Sequence, residues 1–352
     1  MNLLGRLVIA VIALVVVGEV GAFLYGIIAR GEHPPVLTQQ SGFRGTGLVQ
    51  VRHPQAVAEL QRANIVPEAV PPPGDEGPRA GEVYENLKVL GDISTGEFTR
   101  LMVNITEWVA PDQGCAACHN PENFADDGLY TKVVARRMIE MTRHINADWT
   151  KHVAQTGVTC YTCHRGNLVP PNIWFQDPGP RQAGGYAQAP VGQNHPAGVI
   201  VGSSSLPRDP FTPFLLNGDE IRVQSTEALR GSNTLSIKQA EWTYALMMHM
   251  SQALGVNCDY CHNTRQMRAW DQSPVQRATA WYGIRMVRDL NNNYLVPLRD
   301  VFPAKRLGPA LADAPKVNCA TCHNGVFKPL YGVSMAQHFP ELQGPAQQAA
   351  AQ

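Results

Sequence analysis

The sequence predicts a mostly α-helical protein with long loops, preceded by one N-terminal transmembrane helix. Three observations predict it: an apolar run of 22 residues near the N-terminus, apolar stripes at helical spacing along the rest of the chain, and a scarcity of alternating strand patterns. With 352 residues, 44% of them apolar, the chain can bury the core of one large domain or two modest ones. Twenty-nine basic side chains balance twenty-nine acidic ones, so net charge gives no reason to expect a nucleic-acid partner, and any charged docking patch must be local.

The apolar run extends from Leu7 to Ile28. At about 1.5 Å per residue it is long enough to cross a hydrocarbon core of roughly 30 Å. A cleavable signal has a shorter apolar region and a clear small-residue site, which Val20-Gly21-Ala22 matches only loosely, so residues 1–30 are expected to be a retained anchor. Gly18, Ala22 and Gly26 line up small side chains, as in a closely packed membrane helix or a plain lipid-facing anchor. Glu19 is the only ionisable residue of the run. A carboxylate at mid-bilayer costs roughly 2.5–3.5 kcal/mol, so Glu19 should face a neighbouring subunit or lie near the interface. Arg6 and the amino terminus, set against Arg30, orient the helix only weakly.

Residues 31–80 are rich in Pro, Gly and Gln, including Pro71-Pro72-Pro73-Gly74, and read as an extended arm. Ser94 to Glu97 then has a capping-box pattern, and Phe98, Leu101, Met102, Ile105, Trp108 and Val109 repeat at helical spacing until Pro111. Val134, Met138, Met141 and Ile145 form a second stripe, followed by a shorter turn from Ala147 to Gln155. Residues 166–218 again hold many Pro and Gly and read as a long connection. Beyond it, Ile237 to Leu254 reads as a helix ending at Gly255, and Ser273-Pro274 as the cap and first residue of another running to about Tyr294. This divides the chain into halves at 81–165 and 219–335, with a tail at 336–352.

All eight cysteines fall in four C-x-x-C-H segments: Cys115, Cys118 and His119; Cys160, Cys163 and His164; Cys258, Cys261 and His262; Cys319, Cys322 and His323. In such a segment two thiols add to haem vinyl groups, and the adjoining histidine reaches the iron from the same stretch of chain. Paired C-x-x-C segments also make zinc ribbons, but ribbons do not require histidine after every second cysteine. A thioredoxin-like site would need a βαβ context that the sequence lacks. The expectation is therefore four covalently bound haem c groups, a multihaem cytochrome c of two dihaem halves. Covalent c-type haem is attached outside the cytoplasm, which places the domain on the periplasmic side.

The sixth iron ligand separates an electron carrier, with both axial positions filled, from an enzyme with an open iron. Met102, thirteen residues before Cys115 on a well-marked helix, is the candidate at the first motif. Met138 and Met141 share a face ahead of Cys160. The helix before Cys258 offers Met247, Met248, His249 and Met250, among which spacing does not choose. At the fourth motif the nearest upstream methionine, Met286, is thirty-three residues away, leaving His152, His144, His195 and His249 as candidates from elsewhere.

Several stretches match a known family. Ser41-Gly42-Phe43-Arg44-Gly45, Val133 to Met138, His152 to Cys160 and Trp281 to Asn291 resemble the tetrahaem cytochrome subunit of purple bacterial photosynthetic reaction centres, and the resemblance covers nearly everything after residue 40. It implies that Met102, Met138 and Met247 are the sixth ligands of the first three haems, that His152 reaches the fourth, and that Met141, Met248 and Met286 are packing residues. Arg277 matches an arginine beside the third haem, where a cation favours the reduced iron. The resemblance further implies re-reduction of the photo-oxidised bacteriochlorophyll pair, with the third haem nearest that pair and the first farthest out. The implied partners are the L, M and H subunits, a soluble donor (cytochrome c2 or a high-potential iron–sulfur protein), and light-harvesting 1 subunits as further neighbours. The implied location is the periplasmic face of the bacterial inner membrane. One departure stands out: many family members are held by a lipidated N-terminal cysteine, and all eight cysteines here are in motifs, so the Leu7–Ile28 helix is expected to do the anchoring. Two other classes fit less well. A quinol-oxidising tetrahaem cytochrome has tightly clustered motifs, whereas motif starts here are 45, 98 and 61 residues apart. A multihaem reductase needs an open iron, against four sites with candidate sixth ligands.

Overall fold

The computed structural model describes residues 3–29, 35–42, 48–74, 76–177, 206–222 and 237–344. His195, Arg30, Phe43 to Gly45, and parts of the arm, the long connection and the C-terminal tail lie outside them.

The chain forms two compact units, residues 1–39 with 50–59, and residues 40–49 with 60–352. In the first, helix α1 (Leu3–Ala29) has 27 residues and is long and apolar enough to cross a membrane. Its described apolar side chains, among them Leu7, Leu14, Phe23 and Ile28, are exposed. Strands Leu37–Gln39 and Gln50–Arg52 pair antiparallel with Leu37 opposite Arg52, the one sheet among the described residues. Helix α2 (Pro54–Arg62) starts with proline, whose fixed φ suits a first helical position.

In the second unit, a short turn α3 (Ala80–Val83) precedes α4 (Thr95–Val109). Ser94 Oγ caps α4 by accepting from the Glu97 amide at 3.2 Å, as the sequence suggests, while the Glu97 carboxylate pairs with Arg100 at 2.8 Å. The second stripe becomes α5 (Tyr130–Asp148), followed by α6 (Thr150–Val153) and α7 (Cys160–His164). Helix α8 (Ile237–Leu254) ends at Gly255, whose φ of +64° is cheap only for glycine. Helix α9 (Gln276–Leu290) starts later than expected and without a serine cap. The Ser273 hydroxyl is engaged elsewhere, donating to Ala269 O at 2.6 Å and accepting from Arg277 at 2.8 Å. Beyond Leu290 the chain widens into a π-turn, Asn291–Leu295, and the last α-helix among the described residues is α10 (Cys319–His323).

Two apolar clusters hold these helices. Leu101 and Trp108 of α4 and Ile139 of α5 pack with Leu330, Met335, Phe339 and Leu342. Ile145 of α5 packs with Trp174, Phe211, Leu215, Leu246, and Ile284 and Leu290 of α9. Helix α5 thus serves both clusters, which fixes the methionines and histidines on its faces relative to α4 and α9. Trp174 and Lys316 exchange backbone hydrogen bonds of 2.9 and 3.0 Å, anchoring the strand of chain that leads into α10.

Candidate haem-binding sites

The four C-x-x-C-H segments take two conformations. Those of α7 and α10 are single helical turns capped alike: the amides of Thr159 and Asn318 each donate to a threonine three residues on, Thr162 and Thr321, both at 3.0 Å. Each turn ends in a left-handed residue, Arg165 (φ 50°) or Asn324 (φ 47°), followed by Gly166 or Gly325 with positive φ. The first and third segments instead form 3-10 turns, Gly114–Ala117 and Cys258–Tyr260.

The same alternation governs the histidines. Nδ1–H of His164 and His323 donates to a carbonyl three residues on, Asn167 O at 2.8 Å and Val326 O at 3.0 Å. In His119 and His262 the carbonyl is five residues on, Phe124 O at 3.4 Å and Met267 O at 3.3 Å. A carbonyl only accepts, so Nδ1 carries the proton and each Nε2 keeps its lone pair for an iron. Burial lowers the pKa of all four, with His323 brought down to about 4, so the rings are neutral at pH 7, as axial ligation requires. None of the eight cysteines is in a disulfide, and Cys163 Sγ lies 2.7 Å from Cys322 Sγ, bringing the second and fourth segments together.

His152, at the end of α6, faces His323 with ring centroids 6.1 Å apart and planes at 70°. Two imidazoles on one metal, each nitrogen about 2 Å from it, put their centroids about 6 Å apart. His152 Nδ1 donates to Thr279 O at 2.9 Å, and burial lowers its pKa, so its Nε2 is also free and neutral. The centroid spacing therefore matches that of two imidazoles on one metal. The other histidine candidates are placed differently. His144 bonds the carboxylates of Asp148 at 2.7 Å and Asp289 at 2.5 Å. His249 is buried edge-on against Phe211, with centroids 4.6 Å apart, and desolvation drives its pKa down to about 3.

The candidate methionines lie on α4, α5, α8 and α9 and are half-buried, except Met286, which is buried inside the second cluster. Met138, Met141, Met247 and Met250 border that cluster, Met102 borders the first, and Met248 packs near Leu206 and Ala245. Two features single out three of them. Gly166 N donates to Trp108 O and Gly325 N to Ala253 O, both at 2.8 Å. Trp108 and Ala253 each lie six residues after a methionine, Met102 in α4 and Met247 in α8, so those two hold matching stations ahead of paired segments. The second feature is a hydroxyl four residues on. Thr106 Oγ donates to Met102 O at 2.9 Å and Thr142 Oγ to Met138 O at 2.8 Å, and Ser251 stands at the same offset from Met247. Met141, Met248, Met250 and Met286 have no hydroxyl at that offset, a signal that sequence spacing alone did not use. Arg277 stacks on Trp270, 4.2 Å from the ring centroid, and after burial its charge is the next cause holding the His262 pKa down, which places it beside the third segment.

A sequence model of the family described as "Photosynthetic reaction centre cytochrome C subunit" matches residues 32–343. The photosynthetic reaction center cytochrome c subunit of Rubrivivax gelatinosus is 54% identical, over 92% of this chain and 88% of its own length. The subunit of the same name from Thermochromatium tepidum is 52% identical, over 88% of this chain and 76% of its own length. That of Roseobacter denitrificans is 38% identical, over 93% and 92%.

The chain belongs to the reaction-centre cytochrome c subunit family. As a reaction-centre cytochrome subunit it is an electron carrier of photosynthesis with covalently bound haem c, not a classical enzyme. A reaction-centre cytochrome works in a membrane complex, and α1 is consistent with anchoring there.

Proposed function

We propose that this chain re-reduces the photo-oxidised bacteriochlorophyll special pair, drawing electrons from a soluble periplasmic carrier, either cytochrome c2 or a high-potential iron–sulfur protein. Four haem c groups would be held through the cysteine pairs 115/118, 160/163, 258/261 and 319/322, with His119, His164, His262 and His323 as proximal ligands. Met102, Met138, Met247 and His152 would complete the four irons in that order. The observation that carries the reading is the His152–His323 pair, spaced for one iron in a chain whose relatives are reaction-centre subunits.

Haem iron supplies a centre that takes up and releases one electron. The residues set how readily each centre does so. Methionine with histidine raises a reduction potential relative to two histidines, so three Met/His sites and one His/His site make unequal steps. Arg277 adds positive charge beside the third site and raises it further. Matching stations of Met102 and Met247, and matching turns at motifs one and three and at two and four, support two dihaem halves at 81–165 and 219–335.

In this reading the domain sits on the periplasmic face of the bacterial inner membrane, held by α1, against the L, M and H subunits with light-harvesting 1 subunits as outer neighbours. Deletion of the gene tests the assignment. Membranes lacking the chain should recover their special pair after a flash only by a slower route that depends on added soluble donor. Recovery at the parental rate without it would reject the proposal.

A further inference from the structure

We infer that Gly283 is a positioning residue for His152: the missing side chain lets the imidazole stand against α9 and face His323. Gly283 sits inside α9 with ordinary helical backbone, where glycine is worse than alanine by roughly 0.5–1 kcal/mol and no turn calls for it. The reason lies in what a side chain would meet. A Cβ on Gly283 would stand 2.5 Å from His152 Cε1, 2.8 Å from Nδ1 and 3.2 Å from Nε2. Carbon atoms in contact sit at about 3.5–4.0 Å, so the ring would have to move by roughly 1 Å or more.

It has little room to do so. One turn earlier on the same helix, Thr279 O holds His152 Nδ1 at 2.9 Å, and across the gap stands His323, 6.1 Å away between centroids. Helix α9 thus sets the ring twice, by an acceptor at Thr279 and by an absent side chain at Gly283, four residues apart on one face. A methyl at Gly283 either breaks the Thr279 bond or displaces the ring relative to His323, and both spoil a two-imidazole site.

This inference rests on His152 and His323 being one iron's axial pair, and carbon monoxide binding to the reduced holo-protein separates the two claims. An iron with both positions filled does not take up carbon monoxide, and one that has lost a ligand does. His152→Ala tests the ligand pair and should open one haem per chain; if it opens none, the pair itself is wrong. Gly283→Ala should open the same haem and shift the same step of the redox titration, leaving the others in place. Gly308→Ala, which puts a methyl 2.8 Å from Phe175 Cδ1, is the packing control and should open none. If Gly283→Ala binds no carbon monoxide and titrates as the parent does, or if Gly308→Ala opens the same haem, the inference is overturned. Should Gly283→Ala fail to accumulate, the Gly283→Ala/His152→Ala double variant decides. Accumulation equal to that of His152→Ala supports a role acting through His152, and failure of the double variant overturns it.

Discussion

His152 and His323 come from segments 171 positions apart, yet their rings face each other at 6.1 Å, each with Nδ1 tied to a backbone carbonyl. With Nδ1 engaged in both rings, each Nε2 keeps its lone pair for a metal. Replacing His152 with methionine changes a His/His site to Met/His, which raises the potential. His152→Met should move one step of the equilibrium redox titration to higher potential without creating a carbon monoxide site. A titration identical to the parent's would remove His152 from the ligand set.

Met247 and Met248 are neighbours on α8, but only Met247 sits at the station equivalent to Met102. Met247→Leu should perturb one haem in the absorption spectrum and titration, whereas Met248→Leu should be silent in both. Spectroscopic change from Met248→Leu with none from Met247→Leu would reverse the assignment.

Arg277 lies by the third motif, with its guanidinium on Trp270 and hydrogen-bonded to Ala269 O at 3.0 Å. A charge at partly screened range is worth about 1–2 kcal/mol, or roughly 40–80 mV for one electron. Arg277→Gln should lower one haem potential by that amount, and Arg277→Lys by less. Unchanged potentials in Arg277→Gln would mean that the residue only braces the loop.

How much of this was legible beforehand differs by element. Helices α4 and α5 were readable because their apolar residues recur at one helical face and Ser94 marks a start. The motif cysteines and histidines were readable because their chemistry is packed into five consecutive residues. The start of α9 is not legible, since Ser273 has the right spacing for a cap but spends its hydroxyl on Ala269 and Arg277. The partner of His323 could not be read from local pattern at all. His152 lies against its ring while α9 packs Thr279 and Gly283 on His152, a relation between three distant segments.

Lys316 is fully buried, with its ammonium bonded to Asp313 and to Ala314 O at 3.0 Å and set 4.8 Å from the centre of the Trp174 ring. Burial lowers its pKa, and the Asp313 carboxylate works against that shift. Removing only the acid strands a buried cation, which costs about 3–5 kcal/mol. Asp313→Ala should therefore destabilise the domain more than Lys316→Met, which leaves the half-buried carboxylate free to find water. Denaturant midpoints of the two variants check the order, and equal losses would contradict it.

In the proposed function this chain feeds electrons to the special pair through its own haems. Flash-induced absorbance on membranes containing the assembled reaction centre tests it most directly. A c-type haem band should bleach as the oxidised pair recovers, with matching kinetics. Recovery of the pair with no haem of this chain oxidised would contradict it.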